Sequence, residues 1–293
     1  MSFAPCEICT SSDWSQQYSG PIRDGLFGKI REGALVCRCR GCGVDRLDES
    51  VCPPDSFYET EAYRALLSKG LDSSSYFEEH DALQIHTLKA IWPTSLRGAT
   101  VADIGCGGGS LLDHVRGWSS TQIAVEPYEL YRNALTARGY SAYTYAKDAA
   151  DVWKGKVDLA FSIQVIEHTL NPRAFLEEIF PLLSDDGHLV ISTPNRNDIL
   201  FDLLPDNFPS FFYRVVHRWY FDVESLSKCA QLAGYKVDRV VPVHRYGLSN
   251  ALHWLRDRKP RGGAVMSGIL PVAEEYWGRY VESIGKSDCI YLI

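Results

Sequence analysis

The segment Val101–Leu112 restricts the possible folds of this chain more than any other feature of its sequence. It reads Val-Ala-Asp-Ile-Gly-Cys-Gly-Gly-Gly-Ser-Leu-Leu, so four glycines follow an apolar run. Glycine adopts backbone angles that other residues avoid and lets a ligand approach closely, and the first turn of a helix offers unpaired N–H groups. The segment therefore predicts a β-strand, a ligand-binding loop and an α-helix, with a generic strand-to-helix turn as the alternative.

Short apolar runs alternate with helical patterns from Thr100 onward, which is typical of a parallel sheet covered by helices. The predicted helices include Leu130–Arg138 and Pro172–Leu183, and proline is well tolerated at the first turn of a helix. We therefore expect an α/β fold with a Rossmann-like sheet and helices on both faces. The predicted strands are Val101–Ile104, Gln122–Glu126, Ser141–Tyr145, Val157–Ile163 and His188–Thr193.

The glycines follow the pattern D-x-G-x-G-x-G, which differs from the dinucleotide fingerprint. That fingerprint requires glycine or alanine three residues after its second glycine, and Ser110 stands there. With this pattern the chain resembles the class I S-adenosylmethionine-dependent methyltransferases, over about residues 99–241. The residues that carry the pattern are Asp103, Gly105, Gly107 and Gly109.

The resemblance implies a set of cofactor-binding residues. The glycine-pattern residues would surround the methionine part of S-adenosylmethionine, and Glu126 would hold the ribose hydroxyls. A carboxylate suits that role because it accepts hydroxyl hydrogen bonds and would repel a 2′-phosphate. Asp148 corresponds to the position that approaches the adenine. Gln164, in the fourth-strand segment that ends at His168, is also assigned to the cofactor site.

Two histidines are candidates for a catalytic base. A hydroxyl acceptor loses a proton as the new C–O bond forms, and histidine has the most suitable unperturbed pKa for accepting it. His168 is the first candidate because it follows the fourth strand, at the sheet edge where ligands of open α/β folds bind. Its alternative role is packing against the cofactor or hydrogen bonding to backbone. His217, in an aromatic stretch, is the second candidate.

Two C-x-x-C pairs lie near the N-terminus, Cys6 with Cys9 and Cys39 with Cys42. A two-residue spacer lets both thiolates of one turn reach a single ion, so the pairs predict a tetrahedral zinc site in a small zinc-ribbon-like module. Four thiolates complete the coordination shell, and the zinc would therefore be structural. Cys37 is an alternative to Cys39 as a ligand, and reduced thiols without metal are the alternative to the whole site.

Two prolines after Cys52 interrupt regular structure and mark a domain boundary. We expect a substrate-covering insertion around 197–280 within the last domain. The predicted domains are a zinc-binding module at 1–52, a connector with N-terminal helices at 53–98 and a class I methyltransferase domain at 99–293.

Aromatic residues are concentrated in the connector and after the fifth strand. Burial in a core explains such residues most simply, and a lid over the substrate is the functional alternative. The residues concerned are Phe57, Tyr58, Tyr63, Phe208, Phe211, Phe212, Tyr213, Trp219 and Tyr220.

Charge and hydropathy exclude several classes of protein. The formal net charge is −7, and lysine and arginine form no long block, which disfavours a general nucleic-acid backbone binder. No apolar run reaches the roughly 18 residues needed to cross a bilayer, and the first residues lack the layout of an export signal. We therefore expect a cytoplasmic protein without a membrane span.

The cysteine module, the tyrosine-rich connector and the class I domain together resemble bacterial methyltransferases of nucleotide-linked sugars, polysaccharide precursors and secondary metabolites. The resemblance implies methyl transfer to a small-molecule acceptor. Sugar C-methyltransferases of that group carry a further large C-terminal domain, for which 293 residues leave no room, so a hydroxyl acceptor is favoured. The alternatives are sugar C-methylation, binding without catalysis, and an RNA base methyltransferase, which the acidic residues within 1–52 disfavour.

Overall fold

Two β-sheets organise the chain. The computed structural model describes residues 4–25, 28–62, 73–92 and 94–293, so the predicted lid residue Tyr63 lies outside the described residues. The described strands are β1 (Trp14–Arg23), β2 (Ile30–Cys39), β3 (Asp45–Leu47), β4 (Thr100–Ile104), β5 (Thr121–Val125), β6 (Ser141–Tyr143), β7 (Val157–Ile163), β8 (Leu183–Pro194), β9 (Trp219–Tyr220), β10 (Val240–Val243) and β11 (Cys289–Leu292).

Helices follow most of the strands in the second half of the chain. The described α-helices are α1 (Ser73–His80), α2 (Gln84–Ile91), α3 (Ser110–Val115), α4 (Glu129–Ala137), α5 (Ala146–Trp153), α6 (Pro172–Ile179), α7 (Ile199–Leu203), α8 (Phe208–Phe212), α9 (Val223–Leu232), α10 (Leu248–Asp257) and α11 (Pro271–Ser283). None of them, within the ranges given above, is both long and apolar enough to cross a membrane.

The large sheet has the strand order β10-β11-β8-β7-β4-β5-β6. Strands β4 to β8 are parallel, and β11 runs antiparallel to both β8 and β10. The predicted α/β fold class with a Rossmann-like sheet is confirmed. The strand predicted at Val157–Ile163 has those bounds, whereas α6 ends at Ile179 because Phe180–Leu182, which contains a proline, forms a 3-10 turn.

Each strand of the large sheet contributes to two cores. In β4, Val101 packs in one apolar cluster with the helices α2, α3 and α4, whereas Ala102 and Ile104 pack in another with α5, α6 and α9. This alternation follows from the two-residue period of strand side chains. Because both faces are covered by helices, the strands are apolar on both faces and the sheet is buried.

The small sheet is antiparallel and has the order β1-β2-β3-β9. Its last strand comes from the second half of the chain, with Asp45 paired to Tyr220 and Arg46 to Trp219. The sheet packs its apolar side, including Ile22, against α7, α8 and the chain that follows them. The segment predicted as an N-terminal module therefore completes its sheet with residues from the large domain.

Aromatic residues after β8 form much of the contact between the small sheet and the rest of the chain. Phe208, Phe212, Tyr213, Trp219 and Tyr220 are buried, which agrees with the core interpretation of that cluster. Phe211 is partly buried and lines a cavity described below.

Candidate active site

The glycine loop joins β4 to α3 at the carboxyl edge of the large sheet. Gly105 has φ +78°, and a Cβ atom there would lie 2.6 Å from the Val165 Cγ2 atom. Gly109 has φ +86° and caps the N-terminus of α3. A side chain at either position would strain the backbone and collide with a neighbouring side chain, Val165 at Gly105 and Leu135 at Gly109. The loop therefore needs glycine at these two positions.

Glu126 lies directly after β5 and is held by the loop and by its own turn. Its carboxylate accepts backbone N–H bonds from Gly107 at 2.8 Å and from Tyr128 at 2.9 Å. Asp103, at the end of β4, is also buried. Burial raises the pKa of the Asp103 carboxyl to about 7, and the negative charge of Glu126 adds to the rise.

A cavity of about 650 Å³ opens beside these carboxylates. Its position agrees with the rule that ligands bind where the strand order of an open α/β sheet reverses, which here is between β4 and β7. The volume is within the range of small-molecule sites. The predicted cofactor and catalytic residues among its lining are Asp103, Gly105, Gly107, Glu126, Gln164 and His168.

The structure places Asp148 away from the cavity wall. Helix α5 begins at Ala146, and the Asp148 carboxylate accepts the backbone N–H of Tyr145 at 3.0 Å, as an N-terminal cap. Residues 144–147 line the cavity at this point. Asp148 is thus next to residues that line the cavity, but its side chain caps its own helix and is not part of the lining.

Gln164 has an unusual backbone. Its φ is +58°, which is rare for a residue with a side chain, and its N–H donates to the Ser192 carbonyl at 2.9 Å. The side-chain amide lies 3.3 Å from both the Ser192 hydroxyl and the Cys289 thiol. Strained residues of this kind are typical of functional sites.

His168 lines the same cavity, with its ring orientation set by backbone. Its Nδ1 atom lies 2.6 Å from the Val216 carbonyl, to which the Tyr58 hydroxyl also donates at 2.8 Å. A carbonyl only accepts, so Nδ1 carries the proton and, in the neutral ring, Nε2 carries the lone pair. The Tyr58 ring lies 5.3 Å from the imidazole and lines the cavity with it.

The other histidine candidate, His217, lies behind His168 with its ring 4.8 Å away. It is 2% exposed, and its Nε2 accepts a hydrogen bond from Arg214 Nε at 2.8 Å. Burial lowers the pKa of His217 well below its usual range, and the Arg214 charge lowers it further. His217 lines a second cavity of about 300 Å³ rather than the first, so the structure does not place it where His168 lies.

The structure brings together the four predicted zinc ligands. The sulfurs of Cys6, Cys9, Cys39 and Cys42 all lie within 4.8 Å of one another, and the group does not include Cys37. The Cys6–Cys42 and Cys9–Cys39 sulfur distances are 3.7 and 3.4 Å. A tetrahedral zinc with Zn–S bonds of about 2.3 Å places its sulfurs about 3.8 Å apart, so the cluster fits that ion.

Several residues near the cavities escaped the sequence analysis. Glu167 is buried, accepts a hydrogen bond from Thr193 at 3.1 Å, and burial raises its pKa to about 7. Its only signal was its place beside His168. Arg245 lines both cavities and pairs with the buried Asp288 at 2.7 Å. No motif marks Arg245 or Asp288, because they are remote from the glycine loop in sequence.

Curated relatives match parts of the chain. The mitochondrial ubiquinone biosynthesis O-methyltransferase of Bos taurus is 24% identical over 176 residues, which is 54% of this chain and 47% of that protein. The ubiquinone biosynthesis O-methyltransferase of Pseudomonas paraeruginosa is 30% identical over 47% of this chain and 63% of its own length. The ubiquinone biosynthesis O-methyltransferase of Aeromonas salmonicida is 27% identical over 66% of this chain and 87% of its own length. The chain thus spans less than two thirds of the first two relatives.

A family model described as a methyltransferase domain matches residues 76–240. The match covers more than half of the chain and contains the glycine loop, Glu126 and both candidate histidines. The protein therefore belongs to the methyltransferase domain family, and the prediction of a class I S-adenosylmethionine-dependent methyltransferase domain is confirmed.

Proposed function

We propose that this protein is an S-adenosylmethionine-dependent O-methyltransferase that acts on a hydroxyl of a small polar molecule. One observation carries the proposal: a single cavity is lined both by the residues assigned to the cofactor and by His168, whose proton position is set by the Val216 carbonyl. The names of the relatives, all O-methyltransferases, support oxygen as the methylated atom.

The residues present fit the cofactor. The glycine loop would hold its methionine part and Glu126 its ribose, since the two backbone bonds to Glu126 orient the carboxylate at the cavity wall. The cofactor supplies an activated methyl group and its own leaving group. The chain then has to hold the acceptor in line, exclude water and remove one proton. Tyr58 and, on α1, Tyr76 contribute aromatic side chains to the lining of the cavity.

His168 is the base in this proposal. Its Nδ1 donates to the Val216 carbonyl, so Nε2 is the atom that would accept the hydroxyl proton. The carbonyl would also stabilise the imidazolium that forms, because it already accepts the hydrogen bond from Nδ1. The His217 ring packs against His168 and would limit its movement.

We infer that the acceptor is a hydroxyl of a nucleotide-linked sugar or of a polysaccharide or secondary-metabolite precursor. A structural Zn²⁺ held by the four clustered cysteines belongs to the same proposal. Thiols used as metal ligands fit a reducing compartment, so we place the protein in the cytoplasm. The metal would stabilise the small sheet, since Cys39 ends β2 and all four sulfurs lie in one group.

Calorimetry and a methyl-transfer assay test the proposal together. We expect zinc-loaded protein to bind S-adenosylmethionine and S-adenosylhomocysteine, and Glu126→Ala to lose that binding. His168→Asn should retain it, because an amide can still donate to the Val216 carbonyl, while kcat on a panel of nucleotide sugars and phenols falls about 10²- to 10⁴-fold.

The matched control is His114→Asn, an exposed histidine on α3 that should change neither property. A folded protein that binds neither ligand would refute the proposal. An unchanged kcat in His168→Asn would refute the assigned base.

A further inference from the structure

The second cavity adjoins the first and has a different character. Gln164 and Arg245 line both cavities. His168 and His217, whose rings are in contact, line one cavity each. The shared lining residues make the two cavities neighbours, so one molecule that reached both would have its hydroxyl beside His168 and its other end in the second cavity.

Two arginines from remote parts of the chain meet at this cavity. Arg23 ends β1, and its backbone forms a parallel bridge with Arg214. The Arg23 N–H donates to the Tyr213 carbonyl at 2.9 Å, and the Val215 N–H donates to the Arg23 carbonyl at 3.1 Å. Both arginines line the cavity, and the Arg23 guanidinium lies 4.3 Å from the centre of the Phe211 ring. The small sheet thus contributes a cation beside the active site.

The charge of Arg23 is poorly compensated. Its Nε is buried and has no hydrogen-bond partner among the described residues. No carboxylate of the described residues forms an ion pair with Arg23. Burial lowers the pKa of Arg23 to about 9, and the Arg214 charge contributes. A partly buried cation without a counter-charge is costly. Arg245, which lines the same cavity, forms an ion pair with Asp288 at 2.7 Å. The missing counter-charge therefore concerns the Arg23 side of the cavity.

We propose that the second cavity binds an oxyanion group of the acceptor, a carboxylate or a phosphate, between Arg23 and Arg214. Guanidinium groups present planar donors that match such oxyanions, and Phe211 and Trp254 supply an apolar wall for the attached ring or chain. The inference rests on the proposed function and narrows its acceptor to anionic molecules. Arg23 acts as a binding residue, and the small sheet takes part in selecting the substrate.

Titration calorimetry of the full zinc-loaded chain at constant ionic strength tests this inference, with inorganic phosphate and benzoate as the probes. We expect at least one probe to bind the wild type and Arg23→Met to weaken that binding about tenfold or more. Arg23→Lys, which keeps the charge, should restore part of it. Arg31→Met, at an exposed arginine on β2, should bind like the wild type.

S-adenosylhomocysteine titration of the same samples keeps the two proposals separate. Tighter binding of phosphate would assign a phosphorylated acceptor and tighter binding of benzoate a carboxylated one, and either supports the oxyanion site. Equal affinity in wild type and Arg23→Met, or no probe binding by a protein that binds S-adenosylhomocysteine, would overturn the site alone. If the wild type does not bind S-adenosylhomocysteine, the proposed function itself is overturned.

Discussion

The glycine-loop side of the first cavity and the second cavity are built in opposite ways. The first uses residues that immediately follow parallel strands, such as Gly105 after β4 and Glu126 after β5. The second uses residues that are remote in sequence, with Arg23 from the small sheet facing Arg214 and Arg245. A strand end that carries its own ligand group can be identified from a short motif, whereas a pocket assembled across two sheets cannot.

The two regions also differ in the groups they offer a ligand. Beside the glycine loop, backbone N–H groups and the carboxylates of Asp103 and Glu126 dominate. The second cavity is lined by three arginines and several aromatic rings, together with Asp198 and with Asp288, which pairs with Arg245. The first region therefore suits hydroxyls and a cationic sulfonium, and the second suits an anion.

Removal of the proposed zinc should separate the two regions most strongly. We expect Cys39→Ser to lose the zinc, because the site then lacks one of its four thiolates. Structural zinc sites contribute about 10 kcal/mol or more of apparent binding free energy, so this loss should unfold the small sheet. Phosphate binding should then fall by at least about tenfold, since Arg23 is lost from the cavity, while S-adenosylhomocysteine binding stays. Zinc content by mass spectrometry and the two titrations measure this.

Cys37→Ser is the matched control, because Cys37 is not in the cysteine group. Zinc retained by Cys39→Ser and lost by Cys37→Ser would contradict the assigned ligand set. Phosphate binding that survives metal loss would show that apolar packing alone holds the small sheet.

Glu167, whose carboxylate lies close to His168 on the first cavity and His217 on the second, should give a pH effect of intermediate size. Burial raises its pKa from 4.5 to about 7, so the folded state favours the neutral form. This contribution to stability is fully present below pH 4.5 and is lost as the pH rises through 7; at saturation it amounts to about 3 kcal/mol.

Glu167→Gln should therefore flatten the fall in unfolding free energy between pH 4.5 and 7, measured by urea denaturation. Part of the slope should remain, because the pKa values of Asp103 and Asp198 are also raised to about 7 by burial. Glu224→Gln, at an exposed position on α9, is the control and should leave the slope unchanged. A wild-type slope retained in Glu167→Gln would refute the assignment.

A single methyl group added to the glycine loop should have the smallest effect on ligand affinity, and this effect should be confined to the cofactor region. Gly105→Ala places a Cβ at φ +78° against Val165, and the left-handed backbone alone costs about 1–2 kcal/mol. We expect S-adenosylhomocysteine affinity to fall about tenfold and phosphate affinity to stay constant. Gly117→Ala, where a Cβ would meet open space, is the control. A matching loss of phosphate affinity would mean that the two regions are coupled.

Local sequence was informative wherever one element determines the position of a side chain. The apolar run at Val157–Ile163 became β7 with those bounds, and the glycine pattern became the loop between β4 and α3. Asp148 shows the limit of this reasoning, because its carboxylate caps α5 and is not part of the cavity lining, although residues 144–147 are. The predicted domain boundaries remain predictions, although β9 completes the small sheet.

The sequence by itself determined the α/β class, the strand-loop-helix unit and the pairs of cysteines. Each of these follows from short runs of consecutive residues and from their order along the chain. Only the tertiary structure decided that His168 and His217 line different cavities and that Arg23 reaches Arg214. Those relations depend on the packing of two sheets through β9 and the residues before it. Contacts between remote residues follow from the summed packing of the fold, and no local pattern encodes them.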